Sequence, residues 1–364
     1  MWLNYGVPRR SRSKYKFPGA RRKRPGGIIR WLVVLAVIAS AAWFWWGHGR
    51  PKKIVPPKPV IVAPQPKAVV LPPQPKAESP RPAQDVLEAQ VALARRAISP
   101  GSIDAAIGSQ TRAAISAFQQ SQNLPPTGKL DADTRTKLTL DAPLLTTYTV
   151  TTNDLNRLQP LGKTWLAKSQ QTALDYETEL ERVAEKGHSH PLLIQKLNPD
   201  VNWTNIAAGT VLRVPDADYP EPTNKAAFVV IHLSERFLEA FDENTNLLAH
   251  FPCSIAARFD KRPVGELHVA VVAPNPNYTF DPEIFPESPE AQAIGHKLIL
   301  PPGPNNPVGV AWIGLDKPGY GIHGTPAPEQ IGRTESHGCF RLANWDAEYL
   351  LKLAWIGMPV IVEP

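Results

Sequence analysis

The spacing of apolar and polar residues divides the chain into four regions. Residues 28–47 form an almost uninterrupted apolar run broken by Arg30, which is long enough to cross about 30 Å of hydrocarbon. Residues 48–83 have no periodic apolar face and are rich in proline, which predicts an extended linker. Helical spacing begins near residue 84, and short strand-like runs dominate after Ala226.

Residues 84–142 are predicted to form a small all-α domain. A first amphipathic helix ends near Ala97, where Pro100-Gly101 interrupts the pattern. A second helix runs from Thr111 to Gln120 because its apolar residues lie on one helical face. Asp131 is predicted to cap a short third helix.

Residues 146–216 are predicted to be a small α+β module. Tyr148-Thr149-Val150 opens a strand-like stretch, and Val214-Pro215 closes the segment. Helical sequence from about Lys163 to Lys186 lies between these ends.

Residues 225–363 are predicted to be β-rich, with long loops between the strands. One helix, from about Trp345 to Trp355, is predicted with Asn344 as its N-cap. Pro274–Pro282 combines dense proline with aromatic residues, which indicates a rigid loop that either covers a cleft or is an ordinary surface loop. The strand-like runs are Ala227–Ile231, Leu267–Val272, Lys297–Leu300, Val308–Ile313, Gly321–His323 and Met358–Val362.

The positive charge is confined to the start of the chain. Residues 1–83 contain 17 Lys and Arg and one acidic residue, so the net charge of +7 leaves −9 for residues 84–364. A nucleic-acid partner is therefore not expected. Because basic residues precede the apolar run, residues 1–27 are predicted to be cytoplasmic and 28–47 a transmembrane signal anchor. A cleaved signal peptide ending near Ala39-Ser40-Ala41 is the alternative.

Two short motifs carry the candidate chemistry. One is Gly321-Ile322-His323-Gly324-Thr325, and the other is Ser336-His337-Gly338-Cys339-Phe340-Arg341-Leu342. A histidine beside a cysteine forms the minimal activated nucleophile, because the imidazole helps to form the attacking thiolate. The alternatives are a zinc cluster of these side chains or a Cys253–Cys339 disulfide. Cys253 itself is predicted to be a buried apolar residue.

Together, these motifs and their spacing resemble the YkuD-type L,D-transpeptidase catalytic domain over residues 226–362. The resemblance implies a mixed β-sandwich fold without metal or cofactor. It also implies Cys339 as the nucleophile and His323 as the general base, oriented by the Gly324 carbonyl. The resemblance assigns the oxyanion hole to the backbone N–H groups of His337, Gly338 and Cys339, and it assigns support of the motif to Ser336. Substrate contacts are assigned to Arg341, Tyr278 and Trp312.

Two upstream segments resemble cell-wall modules. Gly101-Ser102-Ile103-Asp104, Phe118-Gln119 and Thr127-Gly128 resemble the peptidoglycan-binding three-helix domain, although Ala105 stands where glycine is usual. The ends of 146–216 resemble a LysM module, and its helical insertion departs from that pattern. For each segment, the alternative interpretation is a spacer that binds nothing.

The combined resemblance implies a membrane-anchored enzyme of the periplasm that acts on tetrapeptide stems of peptidoglycan. A thioester acyl-enzyme would be resolved by a stem amine, giving a 3→3 cross-link, or by a lipoprotein amine. If water resolves it, the protein is an L,D-carboxypeptidase. A non-catalytic wall-binding tether is the remaining alternative. The predicted location is the inner membrane, as a single-pass protein.

Overall fold

The computed structural model describes residues 80–333, 336 and 338–364. The predicted segments 1–27 and 28–47, most of the linker 48–83, and His337 lie outside the described residues. The longest described helix has 13 residues, or about 20 Å of length. Because no helix of this part is long and apolar enough to cross a membrane, the prediction of a single-pass inner-membrane protein is corrected.

The first module is helical, as the sequence predicts. Its helices are α1 (Val86–Ala94), α2 (Ser109–Ser121) and α3 (Ala132–Lys137), and a short β1 (Arg81–Pro82) pairs with β2 (Thr139–Leu140). These elements enclose an apolar core.

Two local details of this module bear on the sequence analysis. Asp131 caps α3, because its side chain accepts a hydrogen bond from the Thr134 N–H. Ala105 has φ +65°, a left-handed conformation that disfavours residues with a Cβ. This conformation explains why the related pattern has glycine at that position.

The second module joins two antiparallel strands through helices. Strand β3 (Leu145–Thr149) pairs along its whole length with β4 (Val211–Pro215). Val183, Ile194 and Leu212 are fully buried in the core of this module. The prediction of a LysM-like module stays a prediction. The connecting helices are α4 (Thr152–Arg157), α5 (Trp165–Ser169), α6 (Glu179–Lys186) and α7 (Pro191–Leu197).

The third module is built on one eight-stranded mixed sheet with the order β13-β12-β11-β8-β14-β5-β6-β7. A separate hairpin pairs β9 with β10. Two helices, α8 (Pro289–Ile294) and α9 (Asn344–Leu353), complete the module. The strands are β5 (Phe228–His232), β6 (Phe237–Phe241), β7 (Leu247–Pro252), β8 (Gly265–Pro274), β9 (Tyr278–Phe280), β10 (Leu298–Leu300), β11 (Ala311–Leu315), β12 (Gly321–His323), β13 (Phe340–Arg341) and β14 (Pro359–Glu363).

The long strand β8 makes this sheet curl around its own core. Its first half pairs with β14 and its second half with β11, so one strand belongs to both halves of the sheet. Apolar residues from both halves, such as Phe251 and Phe340, meet in a single cluster with Leu350 of α9. The predicted mixed sandwich is therefore one curled sheet whose two halves face each other.

Backbone hydrogen bonds join the three modules. The His250 N–H donates to the Ala97 carbonyl at 3.0 Å, and the Ser99 N–H donates to the His250 carbonyl at 2.8 Å, which extends the edge of the sheet into the first module. In the second module, the Leu174 N–H donates to the Pro302 carbonyl at 2.9 Å. Elements far apart in sequence can therefore contribute to one site.

Candidate active site

Strand pairing places the two predicted catalytic residues on one face of the sheet. Strands β12 and β13 run parallel, with Ile322 opposite Phe340 and His323 opposite Arg341. Ile322 and Phe340 are buried in the core. Because side chains alternate along a strand, His323 and Arg341 point to the other face, as does Cys339, which immediately precedes β13.

His323 is held in one tautomer. Its Nδ1 lies 2.6 Å from the carbonyl oxygen of Gly324. Since a carbonyl only accepts, Nδ1 carries the proton and donates, which leaves the Nε2 lone pair to act as a base. The pKa of His323 is lowered to about 4, mainly by burial and with a smaller contribution from the charge of Arg341, while the hydrogen bond to the Gly324 carbonyl opposes this shift. The imidazole is therefore neutral at neutral pH.

Cys339 is partly exposed and has a protonated thiol at rest. Its Sγ lies 3.5 Å from the carbonyl oxygen of Gly319, to which the thiol donates. Burial raises the pKa of this thiol, although the Gly321 backbone and the charge of Arg341 act in the opposite direction. Forming the nucleophilic thiolate therefore needs a base, and the neutral His323 is a suitable one.

The turn that precedes Cys339 is closed by Ser336. Its Oγ donates to the carbonyl of Cys339 and accepts from the Gly338 N–H at 3.2 Å. The Gly338 N–H is thus engaged inside the turn. A Cβ at Gly338 would come no closer than 3.6 Å to Tyr320, so close backbone packing is not the reason for this glycine. His337 lies outside the described residues.

Trp312 supports the ring of His323. The two residues are paired between β11 and β12, and their rings stack with centroids 5.7 Å apart and planes at 24°. The indole lies over Gly321, where an added Cβ would be 2.7 Å from the ring. Glycine at this position therefore makes room for the aromatic ring that packs beside His323.

The cysteine and the histidine open into one cavity of about 740 Å³. Tyr278 and Trp312 line it, as the sequence analysis predicts for substrate-binding residues. Pro276, Asn277 and Thr279 line it as well, so part of the predicted Pro274–Pro282 loop forms a wall of the cleft.

Arg341 provides positive charge on the cleft wall. Its side chain lines the cavity together with Cys339 and Tyr278. Burial lowers the pKa of Arg341, and the neighbouring Cys339 and Tyr278 raise it. A guanidinium in a partly desolvated cleft binds a carboxylate strongly, which suits the predicted contact with a substrate carboxylate.

A cleft residue that the sequence analysis missed comes from the second module. Trp165, the first residue of α5, lines the same cavity as Cys339. Its ring stacks on Phe280 of β9, with centroids 4.5 Å apart and planes at 16°. The one signal in the sequence for this contribution is the additional helical sequence between Lys163 and Lys186, which departs from the LysM pattern.

Asn344 is a second missed contributor. It lies within α9 rather than capping it. Its Nδ2 donates to both carboxylate oxygens of Glu185 at 3.1 Å. A Cβ at Gly324 would be 2.2 Å from Asn344 Oδ1, so the amide packs directly against the glycine whose carbonyl orients His323.

The alternatives of a disulfide and a metal can now be compared with the structure. Cys253 and Cys339 are both free thiols. Among residues 80–333, 336 and 338–364, no group of three or more His, Cys, Asp and Glu side chains could hold a metal ion.

Comparisons with known proteins agree with this geometry. Residues 226–362 match the family model of the L,D-transpeptidase catalytic domain, YkuD. Residues 82–138 match the model described as "Putative peptidoglycan binding domain". The chain therefore contains an L,D-transpeptidase catalytic domain preceded by a peptidoglycan-binding domain.

Individual relatives carry the same family name. The chain is 25% identical over 185 residues to "Putative L,D-transpeptidase YkuD" of Bacillus licheniformis, covering 51% of this chain and 93% of the relative. It is 29% identical over 171 residues to "Probable L,D-transpeptidase YbiS" of Escherichia coli K12, covering 46% of this chain and 54% of the relative. A match to "Putative L,D-transpeptidase YqjB" of Bacillus subtilis has 34% identity over 108 residues and covers 28% of this chain and 52% of the relative. The chain thus spans about half the length of the last two.

Among solved structures, an L,D-transpeptidase from Xylanimonas cellulosilytica is 14% identical with a TM-score of 0.34. That alignment covers 80% of this chain and 100% of the other. The family assignment rests on the sequence matches rather than on this structural similarity.

Proposed function

We propose that this protein is a cysteine L,D-transpeptidase that acts on tetrapeptide stems of peptidoglycan through a thioester acyl-enzyme. The observation that carries the proposal is the placement of Cys339 and a neutral, Nδ1-anchored His323 in one cleft. A cation, Arg341, lines the same cleft and is proposed to contact a substrate carboxylate.

The first half-reaction acylates the enzyme. His323 Nε2 takes the thiol proton, and the Cys339 sulfur attacks the carbonyl of the third residue of the stem. The new C–S bond forms as the C–N bond to the terminal D-Ala breaks. The protonated imidazole returns its proton to the departing amine, which leaves as free D-Ala.

The second half-reaction transfers the acyl group. An acceptor amine attacks the thioester, the C–S bond breaks, and the proton released by the amine restores the Cys339 thiol through His323. We propose a stem amine as the acceptor, which gives a 3→3 cross-link, because amine transfer is the activity named for the family. A lipoprotein amine or water would use the same acyl-enzyme.

Within the turn that Ser336 closes, the Gly338 N–H already donates to the Ser336 hydroxyl, so oxyanion stabilisation is assigned to the backbone N–H groups of His337 and Cys339. The Ser336 hydroxyl bridges the two ends of this turn and so supports the proposed role of fixing its shape. A preorganised turn lowers the cost of orienting donors toward the developing negative charge.

The first module is proposed to bind peptidoglycan and to hold the enzyme at its polymer substrate. Glycan binding by the LysM-like module 146–216 remains a further proposal. It is supported by the antiparallel β3–β4 pair that encloses helices. Co-sedimentation of the full chain with purified sacculi, compared with cellulose as a control polymer, tests wall binding directly.

The enzymatic proposal is tested with the purified chain and a disaccharide-tetrapeptide. Release of D-Ala and formation of a 3→3 dimer, identified by mass spectrometry, are expected. A tripeptide product without dimer, in the presence of an added acceptor amine, would instead support the carboxypeptidase. Absence of both products, with no mass increment on Cys339 after exposure to a carbapenem, would reject both activities.

A further inference from the structure

One described residue that lines the cleft lies outside the part of the chain that matches the catalytic family model. The match covers residues 226–362, whereas Trp165 belongs to the second module. Its indole lines the cavity together with His323 and Cys339. The helical sequence of the second module therefore contributes a side chain to the candidate active site.

The position of Trp165 is fixed by its aromatic neighbours. Its ring stacks on the fully buried Phe280 and lies 6.0 Å from the rings of Tyr278 and Phe285. The backbone N–H of Trp165 donates to the Glu290 carboxylate of α8 at 2.5 Å. These contacts bind the start of α5 to the β9–β10 hairpin.

The rest of the insertion is anchored on its C-terminal side. Leu174 exchanges backbone hydrogen bonds with the loop after β10, donating to Pro302 and accepting from Asn305, each at 2.9 Å. Gly303 has φ +143°, and an added Cβ there would be 2.2 Å from the Leu174 carbonyl oxygen. The segment is thus held on both sides, so the indole is positioned before substrate arrives, which reduces the entropic cost of binding.

The indole is partly exposed toward the cleft, although one side of it packs on the hairpin. The cleft around it is largely aromatic and apolar, with Tyr278, Phe285 and Trp312 among the lining residues. Among the described lining residues, Arg341 is the only Lys, Arg, Asp or Glu. A ligand that fits such a cleft has one carboxylate for Arg341 and an uncharged aliphatic stretch for the aromatic wall.

We propose that Trp165 is a specificity-determining residue that packs against the uncharged aliphatic part of the acyl-donor peptide. This proposal rests on the proposed function for the identity of the donor. Trp165 contributes to binding rather than to chemistry, because the base and the nucleophile are anchored by contacts that do not include it. Its loss should therefore change KM and leave kcat nearly constant.

The kinetic test compares Trp165→Ala, Trp165→Phe and the control Leu166→Ala in the full chain. Leu166 is the next residue of α5, is 46% exposed and is not among the cavity-lining residues. With a tetrapeptide donor, Trp165→Ala should raise KM about tenfold, and Trp165→Phe should raise it less. Leu166→Ala should match the unmodified chain. The rate of Cys339 alkylation by iodoacetamide should be the same in all four proteins.

A binding measurement separates this proposal from the enzymatic one. Calorimetry with Cys339→Ala, which cannot form the acyl-enzyme, should give a Kd for the tetrapeptide that rises about tenfold when Trp165→Ala is added. That result supports the role of Trp165 even if the unmodified chain releases no D-Ala. Unchanged KM and Kd in the Trp165→Ala proteins would overturn it. A parallel loss of kcat and of Cys339 alkylation would also overturn it, because Trp165 would then only support the fold.

Discussion

The two cysteines of this chain occupy contrasting surroundings although their segments are adjacent. Ser254, which follows Cys253, exchanges two backbone hydrogen bonds of 2.9 Å with Arg341, which lies two residues after Cys339. Cys253 is fully buried in the apolar core of the curled sheet. Cys339 is partly exposed in the cleft beside a buried base.

Surroundings rather than residue type decide what each thiol can do. Burial raises the pKa of Cys253 to about 12, and the charge of Arg236 offsets this only in part. Burial also raises the pKa of Cys339, but Arg341 and the Gly321 backbone lower it, and His323 shares its cleft. Of the two cysteines, only Cys339 lines the cleft, and it shares that cavity with the neutral imidazole of His323.

The largest expected effect follows from removing each sulfur in turn. Cys339→Ala should lower the rate of D-Ala release by about 10³-fold or more, since Cys339 is the only thiol among the described residues that line the cleft. Cys253→Ala should keep the rate within about threefold, because its thiol does not reach the cleft. Carbapenem adducts measured by mass spectrometry should appear on the Cys253→Ala protein and be absent from Cys339→Ala. Comparable activity in both variants would remove the functional distinction between the two cysteines.

Removing the base should have the next largest effect. His323→Ala is expected to lower kcat by about 10²- to 10⁴-fold, the range typical of general acid–base catalysis. Trp312→Phe is the matched control, because it keeps an aromatic ring beside position 323. It should lose much less activity. The comparison requires kcat from D-Ala release and a melting curve for each protein. A normal kcat in the His323→Ala protein would exclude the imidazole as the base.

Short-range sequence signals were sufficient to find the two motifs that line the cleft. The predicted strand Gly321–His323 is observed with the same bounds, and the two motifs carry the residues that meet in the cleft. The first module was also predictable, because the apolar faces of α1 and α2 and the capping Asp131 of α3 depend on local spacing.

The missed features depend on contacts between residues distant in sequence. Trp165 meets Phe280 more than a hundred positions away, and Asn344 donates to Glu185. Asn344 was predicted as an N-cap because its residue type suits that position, yet its amide donates to the Glu185 carboxylate of the second module. His250 lies in a strand-like run of the sequence, as observed in β7, whereas strand β6 with Glu239 was not predicted. In the fold these two side chains pair at 3.0 Å inside the sheet.

The pH dependence of alkylation sharpens the contrast between the two thiols. With His323 neutral above about pH 4 and the pKa of Cys339 raised by burial, the resting pair is a thiol and a neutral imidazole. Alkylation of Cys339 by iodoacetamide should therefore increase about tenfold per pH unit from pH 6 to 8, in proportion to the thiolate fraction. Cys253 should stay unlabelled until the protein is unfolded.

A free-thiol reference makes this measurement decisive. N-acetylcysteine alkylated under the same conditions gives the profile of an ordinary thiol, and the profile of Cys339 should be displaced to higher pH. A rate for Cys339 that is already constant between pH 6 and 8 would mean a preformed thiolate–imidazolium pair. It would contradict the neutral resting state.

The smallest expected effect concerns stability and tests the structural side of the contrast. Cys253→Ser places a hydroxyl in an apolar cluster, and we expect the free energy of unfolding to fall by about 1–3 kcal/mol. Cys339→Ser changes a partly exposed position and should alter the free energy of unfolding by about 0.5 kcal/mol or less. Urea unfolding at pH 7, followed by tryptophan fluorescence, gives both values. Replacing sulfur by oxygen is costly only where the sulfur is well packed. Equal losses of unfolding free energy in the two variants would therefore mean that Cys339 is packed as tightly as Cys253.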